Sequence, residues 1–330
     1  MRALVTGGSG FIGAHVVRAL VLEGHEVRVL HVPRDPLRNL RDVRAERVVG
    51  DVTSQDDLRR AMRGCDTVFH LAALFALWTD RPQRMRDVNV GGTANVLACA
   101  RELGVRRVVH TSSIARFGGQ GPGRDATERS AFRLGSTGDL YSQTKYEAHE
   151  LAVEAARAGQ DVVIAAPCGP LGPGDVGPTP TGRLLLTAAA YAIAVVTPSE
   201  TNFADVRDMA LGHLLAASRG RSGEAYLLGH ENVSMLTISR WARKWAGKRR
   251  RILSLPHAVA KAASHATLWA ARRLGVPPLF TPAAIEIARL GLRADCRKAK
   301  TELGLPSRSL ETSVFDALDW FAGEGHLPAR

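Results

Sequence analysis

The chain has 330 residues, of which 45% are hydrophobic and 23% charged, and it carries a formal net charge of +12. This size and composition are typical of globular proteins with one or two domains, and they exclude collagen-like, disordered and disulfide-scaffold classes. The longest apolar run, residues 184–197, is shorter than the roughly 20 residues needed to cross a bilayer.

The cysteines and the N-terminal residues argue against metal binding and export. Cys65, Cys99, Cys168 and Cys296 lie too far apart for a short zinc-ligand motif or a dense disulfide framework, so no metal site is predicted. A glycine-rich run follows the first six residues and leaves no room before it for an apolar signal segment. We therefore expect a cytoplasmic protein.

The excess positive charge is concentrated near the C-terminus. Residues 231–330 hold 17 Lys and Arg against 8 Asp and Glu, and seven of the twelve residues from 240 to 251 are basic. Such a run is more often a solvated helix face than a binding site, and we predict no nucleic-acid partner. A weak contact between this basic region and a membrane surface is the alternative, because residues 256–274 mix basic residues with alanines and with Leu268 and Trp269.

The first half of the chain alternates short β-rich runs with helical patterns. In chain order, these patterns predict strand 3–5, helix 11–22, strands 26–30 and 47–49, helix 54–62, strand 67–70, helix 90–103, strand 107–111, a helix from about 141 to 158, and strand 162–166. The strands are nearly continuous apolar runs, as expected where helices cover both faces of a parallel sheet. The predicted fold class is therefore α/β, with a doubly wound parallel sheet of the Rossmann type.

The second half of the chain has a different character. Residues 167–182 contain five prolines and five glycines, which is typical of a long ordered loop. Most of the later periodicity is helical. We predict a dinucleotide-binding domain over 1–166 with a return segment at about 201–224, and a smaller substrate-binding cap formed by 167–200 and 225–330.

The first functional motif is the glycine-rich run between the first strand and the first helix. Gly7, Gly10 and Gly13 stand where the backbone must turn tightly and approach a pyrophosphate, and the helix N-terminus then supplies amide donors. The position of this motif directly after the first strand predicts a dinucleotide site. The alternative is a tight turn without a ligand.

The residues after the second strand bear on which dinucleotide binds. An acidic residue about 20 positions after the glycines would bind the ribose 2′-hydroxyl of NAD, but His31 occupies that place. Arg34 lies close by, and a guanidinium group suits a 2′-phosphate, so the pattern favours NADP. NAD is the alternative, with Asp35 turned back towards the ribose. Asp51 and Val52 follow the next strand, where they could hold the adenine.

The third motif combines a tyrosine and a lysine four residues apart with a serine at a strand end. Tyr141 and Lys145 lie on one face of a predicted helix, where both can meet the same ligand. A phenol is a poor proton donor or acceptor at neutral pH unless a nearby cation favours its ionised form, and Lys145 would provide that cation. Ser113 could donate a hydrogen bond to the same substrate oxygen. Together they predict an oxyanion and proton-transfer site.

These motifs together resemble a known superfamily. The segments that carry the resemblance are TGGSGFIG at 6–13, GDV at 50–52, HLAA at 70–73, NVGGT at 89–93, TSS at 111–113 and YSQTK at 141–145. The chain resembles an extended short-chain dehydrogenase/reductase of the NAD-dependent epimerase/dehydratase superfamily. Within it, PCGPLGPGD at 167–175, GPTPTG at 177–182 and NFADVRDMALGHLLA at 202–216 are most similar to dihydroflavonol-reductase-like and hopanoid-associated sugar epimerase proteins.

The resemblance implies roles for individual residues. Tyr141 would be the general acid/base, Lys145 would bind the nicotinamide ribose and tune Tyr141, and Ser113 would orient the substrate carbonyl. The implied coenzyme-binding residues are Gly7, Gly10, Phe11, Ile12 and Gly13 at the pyrophosphate, Asp51 and Val52 at the adenine, and Leu71, Ala72, Ala73, Pro167, Cys168 and Gly169 around the nicotinamide. Cys168 stands where a small polar residue is expected, which weakens the analogy at that point. The resemblance also implies a homodimer.

The predicted function is NADP-dependent reduction of a ketone or aldehyde, or the reverse oxidation, with a small-molecule carbonyl or alcohol as substrate. One alternative is an NAD-dependent nucleotide-sugar epimerase or dehydratase. Against it, residues 201–205 lack an arginine for a diphosphate, although Arg183 or the basic 240–251 segment could supply one. The second alternative is a dinucleotide-sensing protein without turnover, which would not need the aligned Ser113, Tyr141 and Lys145.

Overall fold

The computed structural model describes residues 1–191, 193–247, 251–274, 278 and 280–327. Its strands are β1 (Arg2–Thr6), β2 (Glu26–His31), β3 (Glu46–Val49), β4 (Thr67–His70), β5 (Arg107–Thr111), β6 (Val162–Pro167), β7 (Gly169–Leu171), β8 (Ile193–Val196), β9 (Glu200–Asp205), β10 (Ala225–Leu228), β11 (Glu231–Ser234) and β12 (Arg251–Ser254). Its α-helices are α1 (Phe11–Leu22), α2 (Gln55–Met62), α3 (Pro82–Arg86), α4 (Gly92–Glu102), α5 (Leu140–Arg157), α6 (Pro180–Ala190), α7 (Val206–Arg219), α8 (Met235–Trp245), α9 (His257–Leu274), α10 (Pro282–Leu290) and α11 (Leu310–Gly323).

A seven-stranded parallel sheet forms the larger part of the molecule. Its strand order is β10-β6-β5-β4-β1-β2-β3, and every neighbouring pair is parallel. Strands β4 and β6 are buried along their whole length, because helices cover both faces of the sheet. The predicted Rossmann-type α/β fold is confirmed. The order reverses beside β1, where β2 lies on one side and β4 on the other, and this opens a crevice at the carboxyl ends of the strands.

The cap has a core of its own. Strand β9 pairs with β7 and β11 in a three-stranded sheet, and β8 pairs with β12 in a parallel two-stranded sheet. Helices α6, α8 and α11 pack against one another beside these strands. Their facing apolar side chains are buried, among them Leu185, Ile238, Val314 and Phe321. Burying each such side chain contributes about 1.5–3 kcal/mol of transfer free energy.

Asp205 joins the cap to the large sheet. Its carboxylate accepts a hydrogen bond from the backbone amide of Arg207 at 2.8 Å and so caps α7. It also accepts one from Ser313 Oγ on α11 at 2.7 Å, while the Arg207 guanidinium reaches Asp316 on the same helix at 2.6 Å. Burial raises the pKa of Asp205, but these hydrogen bonds outweigh it and hold the pKa below its ordinary value.

The course of the chain differs from the predicted domain limits at two elements. Strand β10, which the predicted limit at 224/225 assigns to the cap, is the edge strand of the large sheet and pairs with β6. Strand β9, at the start of the predicted return segment, pairs with cap strands instead, whereas α7 packs against α1 of the large domain. Short strands that pair only with distant segments give no local signal of the sheet to which they belong.

Within the described residues, no helix combines the length and apolarity that a membrane span requires.

Candidate active site

A cavity of about 740 Å³ runs from the carboxyl ends of β1, β2 and β3 into the cap. Its lining includes all but one of the site residues predicted from the sequence: Gly7, Gly10, Phe11, Ile12, Gly13, Asp51, Val52, Leu71, Ala72, Ala73, Ser113, Tyr141, Lys145, Pro167, Cys168 and Gly169. Arg34 is exposed and lies outside this lining. The fold therefore brings together residues that are as far apart in the sequence as Gly7 and Gly169.

The glycine-rich loop at one end of the cavity has no space for side chains. Gly7 has a φ of +70°, and a Cβ there would lie 2.6 Å from the backbone nitrogen of Ala72. A Cβ at Gly13 would overlap the carbonyl of Gly7. Gly10 precedes α1 and has no side chain with which to cap the first-turn amides, which are free to donate to an anion. This cradle fits the pyrophosphate of a dinucleotide.

The neighbouring wall contains an acid. Asp35 lines the cavity, and its carboxylate accepts hydrogen bonds from Ser9 Oγ in the glycine-rich loop and from the amide of Leu37 at 2.9 Å. A turn that joins the amide of Asp35 to the carbonyl of Val32 at 3.0 Å brings the carboxylate back towards the loop. In general, a carboxylate accepts hydrogen bonds from hydroxyl groups and repels a phosphate.

Asp51 lies farther along the same wall, beside the end of β3. Its carboxylate accepts hydrogen bonds from the amide of Thr53 at 2.9 Å and from the Arg84 guanidinium at 2.5 Å. Burial raises the pKa of Asp51, but these hydrogen bonds outweigh it and leave the pKa below its ordinary value. Sequence reasoning missed Arg84, which lies in α3 with no motif around it and is brought to Asp51 only by the tertiary fold.

Tyr141, Lys145 and Ser113 meet in the middle of the cavity. Asp139 caps α5 by accepting hydrogen bonds from the amide of Ser142 at 2.7 Å and from Ser142 Oγ at 2.6 Å. This cap fixes the start of α5 at Leu140, one residue before Tyr141. One turn later, Lys145 is buried and its Nζ donates to the carbonyl of Thr111 at 2.6 Å, at the end of β5.

The two titratable groups of this set have strongly shifted pKa values. Burial raises the pKa of the Tyr141 phenol to about 12, although a hydrogen bond with Ser113 opposes the rise. Burial lowers the pKa of Lys145 to about 8. Both shifts disfavour the charged forms, so a bound cation or a developing negative charge in this cavity changes the proton affinity of both groups.

The lysine shift predicts a pH-dependent difference in stability. Between pH 8 and 10.5, folded Lys145 has lost its proton while the unfolded side chain keeps it, so the unfolded chain binds more protons and stability rises with pH. Lys145→Met removes this effect. As the pH rises from 8 to 10.5, we expect the free energy of unfolding of the native protein to increase by about 3 kcal/mol relative to that of the variant. Denaturant titration at several pH values measures this difference. Parallel pH curves for the two proteins would contradict the buried, titrating lysine.

Asn89 supports the tyrosine from a neighbouring turn. It lies in a single π-helical turn, Asp87–Gly91, just before α4. Its amide group accepts from the backbone nitrogen of Leu74 at 2.7 Å and donates to Thr144 Oγ1 at 3.0 Å. Thr144 Oγ1 in turn donates to the carbonyl of Tyr141 at 2.9 Å. This chain of hydrogen bonds fixes the loop after β4 against the first turn of α5.

The part of the cavity beyond Tyr141 is mainly apolar, and its polar lining residues include Ser199 and Thr201, next to Met235 and Leu292. The Phe75 ring packs edge-on against the Tyr141 ring, with centroids 4.6 Å apart. The cap and its neighbouring loops contribute further apolar lining residues, namely Leu74, Leu77, Leu134, Phe203, Met235, Ala284, Ile287, Ala288 and Leu292. Among the described residues, the lysine and arginine side chains that line the cavity are Lys145, in its middle, and Arg84, beside Asp51.

Comparison with known proteins decides the family. The model of the NAD dependent epimerase/dehydratase family matches residues 3–229, which include the glycine-rich loop and the tyrosine–lysine pair. The chain belongs to this family. As predicted from its motifs, it is an extended short-chain dehydrogenase/reductase and an NAD(P)-dependent enzyme.

Several known proteins match the chain over nearly its full length. The putative dihydroflavonol 4-reductase of Synechocystis sp. is 36% identical over 338 residues, covering 99% of this chain and 96% of the relative. Sterol demethylase protein B of Methylococcus capsulatus is 33% identical over 332 residues, covering 99% of this chain and all of the relative. The crystal structure of gox2253 matches with a TM-score of 0.87 at 33% identity, covering 98% of this chain and 99% of that one.

Cys168 also lines the cavity of this chain. It is buried, and burial raises the pKa of its thiol well above the ordinary value, so the group stays neutral. Cys296 lies beside it, since a Cβ on Gly229 would meet both sulfur atoms at 2.7 Å. Among the described residues, no cluster of His, Cys, Asp and Glu could hold a metal ion.

Proposed function

We propose that the chain reduces a carbonyl group of an apolar small molecule to an alcohol, or catalyses the reverse oxidation. The observation that carries this proposal is the apolar end of the cavity beside Tyr141. An extended apolar wall stabilises an apolar ligand by about 25 cal/mol per Å² of buried surface. The names of two relatives refer to a dihydroflavonol and a sterol, which are small molecules.

Each residue of the central set has a role in this reaction. The nicotinamide coenzyme, when bound, supplies or accepts the hydride. Tyr141 donates its phenolic proton to the oxygen of the substrate carbonyl as negative charge develops there, and takes a proton from the alcohol in the reverse direction. Ser113 donates a hydrogen bond to the same oxygen. Lys145, held by the carbonyl of Thr111, stabilises the phenolate that Tyr141 becomes.

The nucleotide-sugar alternative needs a site for a diphosphate. Arg183, which could supply it, is exposed and its Nε donates to the carbonyl of Pro178 at 2.9 Å. Within the basic 240–251 segment, residues 248–250 lie outside the described part of the chain, and Lys244 pairs with Glu311 at 2.9 Å. An apolar wall leaves a diphosphate without partners, and burying a charge unpaired is costly. These contacts favour the carbonyl reductase over the epimerase.

The choice of coenzyme depends on two adjacent residues. The prediction of NADP rests on Arg34, which is exposed and can reach a 2′-phosphate only by turning inwards. The contacts of Asp35 with the glycine-rich loop support the alternative, NAD, because this carboxylate would accept a hydrogen bond from the ribose and repel a phosphate. We propose that Asp35 sets the balance between the two coenzymes.

The test of the proposed function is a substrate panel. Ketones and aldehydes of increasing apolar size, and nucleotide sugars, are each mixed with the protein and NADPH or NADH, and coenzyme oxidation is followed. We expect turnover with the apolar carbonyl compounds. Coenzyme that stays bound through purification, together with conversion of a nucleotide sugar, would support the epimerase instead, and coenzyme binding without any turnover would support a sensing protein.

A variant in the apolar wall sharpens this test. Ile287 of α10 lines the cavity, and Ile287→Asp places a charge against the substrate. We expect KM for apolar ketones to rise by about tenfold or more, because even 1.4 kcal/mol of lost binding is tenfold, while coenzyme affinity stays the same. Val259→Asp is the control, since it adds the same charge on the exposed surface of α9. Equal KM values for the two variants would remove Ile287 from the substrate site.

The homodimer stays a prediction. Helices α4 and α5 contact each other on one face of the large sheet, and a second copy would complete a four-helix interface around a two-fold axis. Light scattering at several protein concentrations measures the mass directly.

A further inference from the structure

One side of the cap exposes large apolar side chains on its small two-stranded sheet. Strands β8 and β12 pair so that Ile193 lies beside Arg251 and Val195 beside Leu253. Because side chains alternate along a strand, these four residues share one face. Ile193 is 54% exposed and Leu253 is 48% exposed. This face therefore offers an apolar surface with an arginine at its edge.

Helix α9 begins at His257, three residues after the end of β12, and its first residue contacts the carbonyl of Pro198 just after β8 at 3.0 Å. Its buried side carries Ala260, Ser264 and Ala271, whereas Val259 and Trp269 on other sides are 52% and 65% exposed. The Arg273 guanidinium lies over the Trp269 ring, 5.7 Å from its centroid. We call the exposed residues of β8, β12 and α9 the cap face, defined by Ile193, Val195, Arg251, Leu253, Val259, Lys261, Trp269 and Arg273.

The charged side chains of the surrounding sequence, residues 232–285, are all basic. No aspartate or glutamate occurs from residue 232 to residue 285, and this stretch contains ten lysines and arginines. Three of them, at 248–250, lie outside the described residues. Lys261 and Arg273 are exposed on α9. Glu286 on α10 lies near Lys261 but pairs with Arg289, and Lys244 pairs with Glu311, so acidic residues from other segments offset only part of this charge. A surface that combines apolar side chains with an excess of positive charge is complementary to an anionic lipid bilayer, whereas a second copy of the same surface would be repelled.

The cap face lies next to the substrate cavity. Helix α9 packs against α10, and Thr267 Oγ1 donates to the carbonyl of Phe280 at 3.1 Å, in the segment that leads into α10. On its other side, α10 contributes Ala284, Ile287 and Ala288 to the cavity lining. One helical layer thus separates the cap face from the apolar end of the cavity.

We propose that the cap face docks the protein onto an anionic phospholipid bilayer. Leu253, Val259 and Trp269 enter the interfacial region, while Arg251, Lys261 and Arg273 contact lipid phosphates. Docking in this orientation brings α10 and the cavity to the level of the bilayer surface. The proposal concerns a surface and not turnover, so it stands or falls independently of the proposed reaction.

The test is co-flotation of the full chain with vesicles of phosphatidylcholine alone or of phosphatidylcholine with phosphatidylglycerol. We expect flotation with the anionic vesicles only, and its loss at high salt. Lys261→Glu with Arg273→Glu reverses two charges on the cap face, and we expect binding to fall more than about 20-fold, since each basic residue near the surface contributes about 1 kcal/mol. Arg106→Glu with Arg157→Glu, two exposed arginines of the large domain, is the matched control and should float normally.

Quenching of tryptophan fluorescence by brominated lipid tests whether Trp269 enters the bilayer. Native protein should lose more emission than Trp269→Phe, because Trp269 enters the bilayer and the other tryptophans do not. Absence of flotation with anionic vesicles, or equal loss of flotation in the control and the cap-face variant, would overturn the proposal. A change from dimer to monomer in Trp269→Ala without any vesicle binding would also overturn it, since the face would then be a contact between copies.

Discussion

Tyr141→Phe is expected to lower turnover about 100- to 10,000-fold while coenzyme affinity changes by no more than a few-fold. The variant keeps the ring that packs on Phe75 and the helix cap at Asp139, but it loses the proton. The buried phenol has a pKa of about 12, so without a bound coenzyme it is fully protonated at neutral pH. Steady-state kinetics and fluorescence titration with NADPH and NADH measure the two effects separately.

Tyr146→Phe is the matched control for this change. Tyr146 lies on the same helix but stacks on Phe132 with centroids 4.5 Å apart, and it lies outside the cavity lining. Because the Tyr146 hydroxyl lies outside the cavity, its loss should leave turnover within about twofold of the native value and have little effect on stability. Full turnover in Tyr141→Phe, or an equal loss in both variants, would show that Tyr141 is not the proton donor.

Asp35→Asn is expected to raise the affinity for NADPH relative to NADH by about tenfold or more. In the proposed binding mode, the Asp35 carboxylate repels a 2′-phosphate and accepts a hydrogen bond from a 2′-hydroxyl. The neutral amide of the variant does not repel the phosphate and is a weaker acceptor for the hydroxyl. A hydrogen bond to a charged group contributes about 1.5–3 kcal/mol, which sets the size of the effect. The ratio of the two dissociation constants, before and after the substitution, is the quantity to measure.

Two further variants complete this experiment. Asp42→Asn removes an exposed carboxylate that pairs with Arg18 outside the cavity lining, and it should leave the ratio unchanged. Arg34→Ala tests the prediction from the sequence. If Arg34→Ala weakens NADPH alone while Asp35→Asn has no effect, then Arg34 turns inwards to bind the phosphate and Asp35 does not set the coenzyme preference.

The sequence predicts which residues line the cavity around the glycine-rich loop and Tyr141, because the signals there are local. Helix α1, strand β4 and strand β5 begin and end where the patterns predict. The glycine-rich loop and the tyrosine–lysine pair depend on spacing within one turn or one helix, and these spacings are visible in the chain. The sheet order then brings Ser113 to Tyr141, because parallel strands end at the same edge.

The substrate half could not be predicted in this way. Its wall is assembled from residues as distant as Leu77, Phe203 and Ile287, each in a segment whose own pattern indicates only packing. Asp35 and Arg34 illustrate a second limit. Both are charged and adjacent, and only the turn from Val32 to Asp35 determines that the acid faces the cavity and the arginine faces solvent.

The most direct test of the central claim follows the hydride itself. Coenzyme that carries deuterium at both positions on C4 of the reduced nicotinamide is incubated with the protein and, in separate reactions, an apolar ketone or a nucleotide sugar, and the products are analysed by mass spectrometry. A carbonyl reductase gives an alcohol that carries one deuterium on its former carbonyl carbon for each coenzyme oxidised. Conversion of a nucleotide sugar with no net oxidation of the coenzyme, and no deuterium in any alcohol, would contradict the proposed reaction.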